Sequence, residues 1–417
     1  MLTRKALHVL KSEGFAETIA RAKNEINAPR NPKRATPHYH FVSNPFDFTG
    51  APLVLLDLIS DFAAQVDPSR LHLFVPSGTE DLLGLVRAKR VNVERVIDGG
   101  GMRVVASQMR LRRDDFVLMN TVSVPFAYRN FIFNRLESGS LDRAVWFIHE
   151  DGPDRWFAND ALRSRTKSLL DAGKLTIVVP SSQVARAYRD YFDTVNVHHI
   201  ALRVRIPGGM MLPRRADDYD TLRFVMSGNP RGGLKGQLLA IAALHKSSCS
   251  ATEETLEGYR DFELHLVGSM EDDYVSKQVG IIGEGLLPGR IRLYPHLSRD
   301  SALEIARSCN VTICTSFTEA FPLFVAEGML MGHVLVRNLA AGHEEQLQDG
   351  VNGFLVDTSS LDALVNAFGN IRDRRISNEQ LQRMSLASQI ISREFMSNDY
   401  YGQLIQLLPW LRTIEAG

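Results

Sequence analysis

The stretch Asn310–Asn338, NVTICTSFTEAFPLFVAEGMLMGHVLVRN, decides the fold. Its opening NVTICTS is a short apolar run closed by polar residues, the pattern of a buried strand. TEAFPLFVAEGMLMG follows as a helix, with Pro322 suited to the first helical position, where a missing N–H costs nothing. HVLVRN then reads as a second buried strand. Strand, helix and strand in succession make a crossover unit, so the sheet is parallel and covered by helices. The helix carries Glu319 at its mouth and Glu327 two turns further on, both awkward in a helix that only fills a core.

The same alternation extends in both directions. LRFVMSG, FELHLVGS, RIRLYPH and NGFLVD read as further strands around this unit, with GQLLAIAALHKS and SRDSALEIARS as helices between them. Nearer the N-terminus, HYHFVS, LHLFVPS, DDFVLMNT, AVWFIHE and KLTIVVPSS form a second set of strands, and APLVLLDLISDFAAQ is a helix between the first two. RIPGGMMLPRRADDYD, rich in glycine, proline and charge, interrupts the two sets and reads as a hinge. The expected organisation is α/β, two Rossmann-like parallel-sheet domains facing across a cleft, at residues 31–207 and 208–385. Residues 386–417 are helical and are candidates to cross back to the first domain. Residues 1–30 read as an amphipathic helix. Packing on the following domain is its plainer role, with peripheral membrane or complex contact as the alternative.

Composition narrows the class. At 417 residues the chain suits two domains of about 200 each. With 44% hydrophobic and 23% charged residues it has an ordinary globular composition. Lys+Arg and Asp+Glu balance at 48 each, so no global field argues for nucleic acid. Cys249, Cys309 and Cys314 share no metal or disulfide spacing, which fits a reducing compartment. No run approaches the roughly 20 apolar residues of a membrane span. A cytoplasmic location is expected, at the inner membrane face if the N-terminal helix touches lipid.

In parallel sheets ligands sit beyond the carboxyl ends of the strands, so the loops there carry the chemistry. At the Pro322 end of the Glu319 helix, free backbone N–H groups near Leu323 and Phe324 and the positive dipole end suit a diphosphate. Glu327 is placed to reach a ribose and Glu319 a sugar hydroxyl. The plainer reading has Glu319 complementing the dipole and Glu327 solvated. SGNPRGGLKG supplies Gly228, Gly232, Gly233 and Gly236 for close backbone approach, and Arg231 and Lys235 as phosphate-binding charges. Gly50 in NPFDFTGAP is a second tight approach, and His149 ends the strand AVWFIHE in the cleft. Ser181 and Ser182 read as a helix cap. Asp218 and Asp220 imitate a metal-binding pair but lie in the hinge, as solvated linker charge.

In this order the loops resemble those of the retaining nucleotide-sugar glycosyltransferases of the GT-B fold, family 4 group. The likeness runs from about residue 38. It rests on the E-x7-E motif Glu319–Glu327, on AAGHEEQLQDGVNGFLVD with Glu345 at the glutamate position, on LRFVMSGNPRGGLKG, and on TGAP. The resemblance implies transfer of a sugar from a nucleoside diphosphate sugar to a glycan or lipid-linked acceptor, as in bacterial cell-surface polysaccharide synthesis. Lys235 would neutralise the diphosphate, Glu327 hold the ribose, and Glu319 contact the transferred sugar. His149 matches a histidine near that sugar. Gly228, Asn229, Phe321, Pro322 and Leu323 complete the donor loops, and His296 lies in the Tyr294–Asp300 loop near the base. The family arginine follows the loop glycine directly, where this chain has Asn229; Arg231 stands two residues later as the substitute. No cofactor and no metal are implied. A sugar-nucleotide epimerase, a phosphorylase and a non-catalytic sugar-nucleotide or glycan-binding subunit are the alternatives.

Overall fold

The computed structural model describes residues 36–96, 101–228, 235–249, 259–269, 274–295 and 297–415. The N-terminal helix expected over residues 1–30, Asn229, Arg231 and His296 lie outside them.

The first domain holds seven parallel strands: β1 (Tyr39–Val42), β2 (Leu71–Val75), β3 (Asn92–Arg95), β4 (Phe116–Asn120), β5 (Ala144–Phe147), β6 (Leu175–Val179) and β7 (Val197–His199). Their order is β3-β2-β1-β4-β5-β6-β7. The second domain holds six: β8 (Thr221–Ser227), β9 (Asp261–Ser269), β10 (Ile291–Pro295), β11 (Val311–Cys314), β12 (Val334–Arg337) and β13 (Gly353–Leu355), ordered β10-β9-β8-β11-β12-β13. Every pairing is parallel. Both sheets are therefore doubly wound, each with one place where the chain reverses its direction of travel across the sheet: between β1 and β4, and between β8 and β11. Crevices at such points are where ligands bind in open α/β sheets.

Two strands have no counterpart in the sequence reading. Both β3 (NVER) and β7 (VHH) lie at a sheet edge. Neither presents the continuous apolar run that marks a strand buried on both faces. The central strands are fully buried runs, as in β1, β4, β5, β6, β11 and β12.

The domains share apolar contacts. Helix Gly50–Gln65 buries Val54, Leu55, Leu58, Ile59 and Phe62, a helical spacing that presents one face. Helix Tyr400–Leu407 packs on it: Tyr400 N donates to Asp61 Oδ2 at 2.9 Å, and Phe62 meets Tyr401 edge-on. The same cluster takes in Phe321, Val325 and Met329 from the second domain. Gln403 closes the tie by accepting from Ala201 N at 2.7 Å and donating to Ala201 O at 3.0 Å. Among the described residues no helix is long and apolar enough to cross a membrane.

Candidate active site

The reversal point of the second sheet is spanned by a charge pair. Lys235, in the loop after β8, places Nζ 2.5 Å from Glu319 Oε1, in the loop after β11. Glu319 is 11% exposed and Lys235 32%. Glycine makes the approach possible. Gly236 has φ +71°, and a Cβ there would stand 2.5 Å from Thr315 O, so no other residue fits without moving a backbone.

Glu319 leads into helix Leu323–Leu330. Pro322 is the residue before the helix rather than its first member, with extended ψ, and no side chain caps the mouth. Among the described residues no side chain satisfies the first N–H groups of this helix. Phe321 turns its ring inward against Phe395 at 5.5 Å, so only its backbone remains for a ligand. One turn into the helix, Glu327 is not solvated. Its Oε1 lies 2.5 Å from Arg299 Nη2, at the start of helix Arg299–Ser308. Arg299 also donates to Arg205 O at 2.9 Å. Burial pushes the Glu327 carboxyl pKa up, and the Arg299 guanidinium opposes that shift.

The mouth is held from behind by a residue the sequence reading passed over. Arg337 ends β12, is fully buried, and donates to Ala340 O at 2.9 Å, to Ala341 O and Gly342 O at 3.2 Å, and to Gln346 Oε1. Gln346 in turn donates to Pro322 O at 3.0 Å. One guanidinium therefore fixes the 340–346 loop, and that loop fixes the turn into the Glu327 helix. A charged residue closing an otherwise apolar strand, VLVR, was the signal available in the sequence.

The first domain answers from its own reversal point. Asn120, at the end of β4, donates to Ser43 Oγ at 3.2 Å across to the β1 loop and accepts from His149 Nε2 at 2.9 Å. His149 leans on Phe147, ring centroids 4.1 Å apart. Burial drives its pKa down to about 3, so the imidazole is neutral, with Nδ1 left as an acceptor. Gly50 starts its helix facing Leu323, whose Cδ1 lies 3.6 Å from where a Cβ would be. Glu345 crosses between domains and accepts from Ser182 N at 2.7 Å and Ser182 Oγ at 2.6 Å. Ser181 is the N-cap of helix Ser182–Phe192, its Oγ accepting from Val184 N. Asp218 binds Arg215 N and Asp220 binds Asn378 Nδ2, both as hinge structure.

Two cavities flank this line of groups. One, of about 480 Å³, is lined by Glu327, Arg299, Leu323, Asp57 and Arg203 among others. The second, of about 390 Å³, lies at Phe317, Asp151, Gln183 and Asp357. With the Lys235 ammonium and the uncapped helix mouth beside them, the arrangement can hold an extended ligand whose two ends occupy different cavities.

Burial of neutral histidines sets a pH dependence. His149 and His333 both titrate below the ordinary 6.5 because burial disfavours the cation. The unfolded chain then binds more protons than the folded one as pH falls through 6.5, so acid destabilises. Between pH 7 and 6 each should remove about 0.7 kcal/mol, with proton uptake on unfolding. Thermal unfolding across that interval tests this, and an unchanged midpoint would contradict it. Glu327 and Glu150, raised by burial, act in the opposite sense, since their protonation as pH falls favours the folded form.

Comparison with known proteins places the architecture. The HepE protein Alr3699 of Anabaena, solved with UDP, superposes with a TM-score of 0.68 at 16% identity, over 90% of this chain and 100% of that one. WaaG, a glycosyltransferase of lipopolysaccharide biosynthesis, superposes with a TM-score of 0.61 at 12% identity, over 88% and 98%. The fold is that of the GT-B glycosyltransferases. Residues 214–386 match the model of the family "Glycosyl transferases group 1". D-inositol 3-phosphate glycosyltransferase of Streptomyces griseus subsp. griseus is 27% identical over 105 residues, 25% of this chain and 22% of that relative's length.

Proposed function

We propose that the protein is a retaining, metal-independent glycosyltransferase of the family 4 group, moving a sugar from a nucleoside diphosphate sugar to a glycan or lipid-linked acceptor in cell-surface polysaccharide synthesis. The observation that carries this reading is the Lys235–Glu319 pair, set at the reversal point of the second sheet beside an uncapped helix mouth. The group 1 domain match over the same loops supports it.

In this reading the diphosphate lies between Lys235 and the N–H groups at Leu323 and Phe324, where point charge and helix dipole stabilise the leaving group. Arg231 adds to that charge, or Asn229 donates an amide hydrogen bond in its place. The ribose reaches Glu327, held by Arg299, in the larger cavity, with the base toward Ser298. Glu319 takes a hydroxyl of the transferred sugar. Neutral His149, oriented by Asn120, offers its free nitrogen to the same sugar. The bond from the anomeric carbon to the diphosphate oxygen breaks, its electron pair leaving with the diphosphate. The acceptor oxygen bonds to that carbon from the same face, and the acceptor proton passes to the departing phosphate oxygen. Contacts across the cleft such as Glu345–Ser182 hold the domains closed and limit hydrolysis by water.

A thermal-shift series with UDP, GDP and their sugar conjugates tests the donor site. The HepE structures contain UDP and UDP-glucose, so uridine is the first base to try. A nucleotide at ~100 times its Kd should add about 2.7 kcal/mol of stability. Once a donor is found, turnover should survive excess EDTA. Binding by none of these nucleotides would remove the proposal, and loss of activity restored by Mg²⁺ would remove its metal-free part.

A further inference from the structure

We infer that the cavity at Phe317 is the acceptor subsite, built for an uncharged saccharide ring rather than a phosphorylated or diphosphate-bearing one. The inference rests on the transfer reaction proposed above and narrows its acceptor.

Position is the first argument. The cavity, of about 390 Å³, opens between loops of both domains and falls within the roughly 300–1,000 Å³ of small-molecule sites. Phe317 stands two residues before Glu319 on the loop after β11, and Asp151 two residues after His149 on the loop after β5. The two groups assigned to the transferred sugar thus sit on the same loops that wall this cavity. A second sugar held here would present its hydroxyls toward the anomeric carbon.

The lining chemistry is the second argument. Phe317 is 58% exposed and Leu339 also 58%, although both follow buried strands and belong to a cleft. An exposed aromatic ring beside apolar surface is a platform for the C–H face of a sugar, with its hydroxyls left at the rim. Polar partners are present there. Gln183 Oε1 is buried with no hydrogen-bond partner, an acceptor awaiting a donor. Asp151 and Asp357 add carboxylates, while Asp357 Oδ1 already accepts from Ser359.

Charge decides between acceptor classes. Among the described residues, two carboxylates line the cavity and no Lys or Arg does. Of the nearby cations, Arg186 pairs with Glu344 at 2.6 Å, and Arg155 acts on Asp151 more weakly than the burial that raises its pKa. A phosphate or lipid diphosphate would enter a site of its own sign and be repelled. A neutral ring donates its hydroxyl protons to the same acceptors.

The test uses the full chain, with and without UDP, and titrates methyl glycosides of glucose, mannose, galactose and N-acetylglucosamine against their 6-phosphates, read by calorimetry and saturation-transfer NMR. At least one neutral glycoside should bind, and its 6-phosphate should bind about tenfold more weakly. Phe317→Ala should weaken the neutral glycoside about tenfold with an unchanged unfolding midpoint. The pair Asp151→Asn and Asp357→Asn should narrow the gap between glycoside and phosphate. The inference is overturned if the phosphates bind as tightly as their parents, if Phe317→Ala keeps wild-type affinity, or if no neutral glycoside binds at tens of millimolar. Saccharide binding is measured separately from the nucleotide screen, so failure of the subsite and failure of the donor site are separately visible.

Discussion

Lys235→Ala should lower turnover by roughly 10²–10³ while leaving the fold intact, as removal of one preorganised electrostatic group does elsewhere. The side chain is about one third exposed, and its ion pair with Glu319 contributes at most about 1 kcal/mol to stability by the standard of exposed pairs. Two separate causes would contribute to the loss in rate. The diphosphate loses a positive charge, and Glu319 is left uncompensated beside it, where it repels the same diphosphate. The combination Lys235→Ala with Glu319→Gln separates them. If lysine acts mainly by neutralising Glu319, the double variant turns over like Glu319→Gln alone; if it acts on the leaving group, Lys235→Ala costs the same factor in either background. Turnover near wild type in a folded Lys235→Ala protein would take the residue out of the site altogether.

How much of this was legible in the sequence depends on distance along the chain. The strand–helix–strand unit from Asn310 to Asn338 was readable because each element declares itself within a few residues. The Glu319–Glu327 spacing was readable for the same reason. Edge strands β3 and β7 were not, since neither carries the unbroken apolar run of a buried strand and each is recognised only by its neighbour. Pro322 fell one place outside its helix, a difference of the size helix ends ordinarily show.

Partners were the harder part. Arg299 is visible in the Tyr294–Asp300 loop but its pairing with Glu327 is not, because their meeting depends on how two separate helices start against one another. Asn120 gave no signal as the residue that orients His149; it follows from the adjacency of β4 and β5. Glu345 carried a motif position, yet its contact with Ser182 belongs to the other domain. In each case the residue type was visible and the pairing was not, since pairing is decided by strand order and domain closure. Arg337 differs. A guanidinium with no water must find several acceptors, and the loop it organises follows it directly in sequence.

The two glutamates of the helix should separate when a free nucleoside diphosphate is used in place of the sugar donor. Glu327 is assigned to the ribose, which does not react, so its contact exists in ground and transition states alike. Glu327→Gln should therefore raise the donor KM with kcat little changed, and weaken UDP binding by about tenfold. Glutamine keeps the shape of the side chain while removing its charge from Arg299, which avoids confusing lost binding with the larger collapse that truncating a buried ion pair produces. Glu319 is assigned to the sugar that is transferred, so Glu319→Gln should lower kcat. Free UDP has no such sugar, yet it does carry a diphosphate beside the Lys235–Glu319 pair. Removing the glutamate charge releases Lys235 to that diphosphate, so calorimetry should show UDP binding to Glu319→Gln unchanged or tighter, and to Glu327→Gln weaker. Equal losses, or the reverse order, would mean that the donor lies the other way round along the helix mouth, with its ribose toward Lys235 and its sugar toward Arg299.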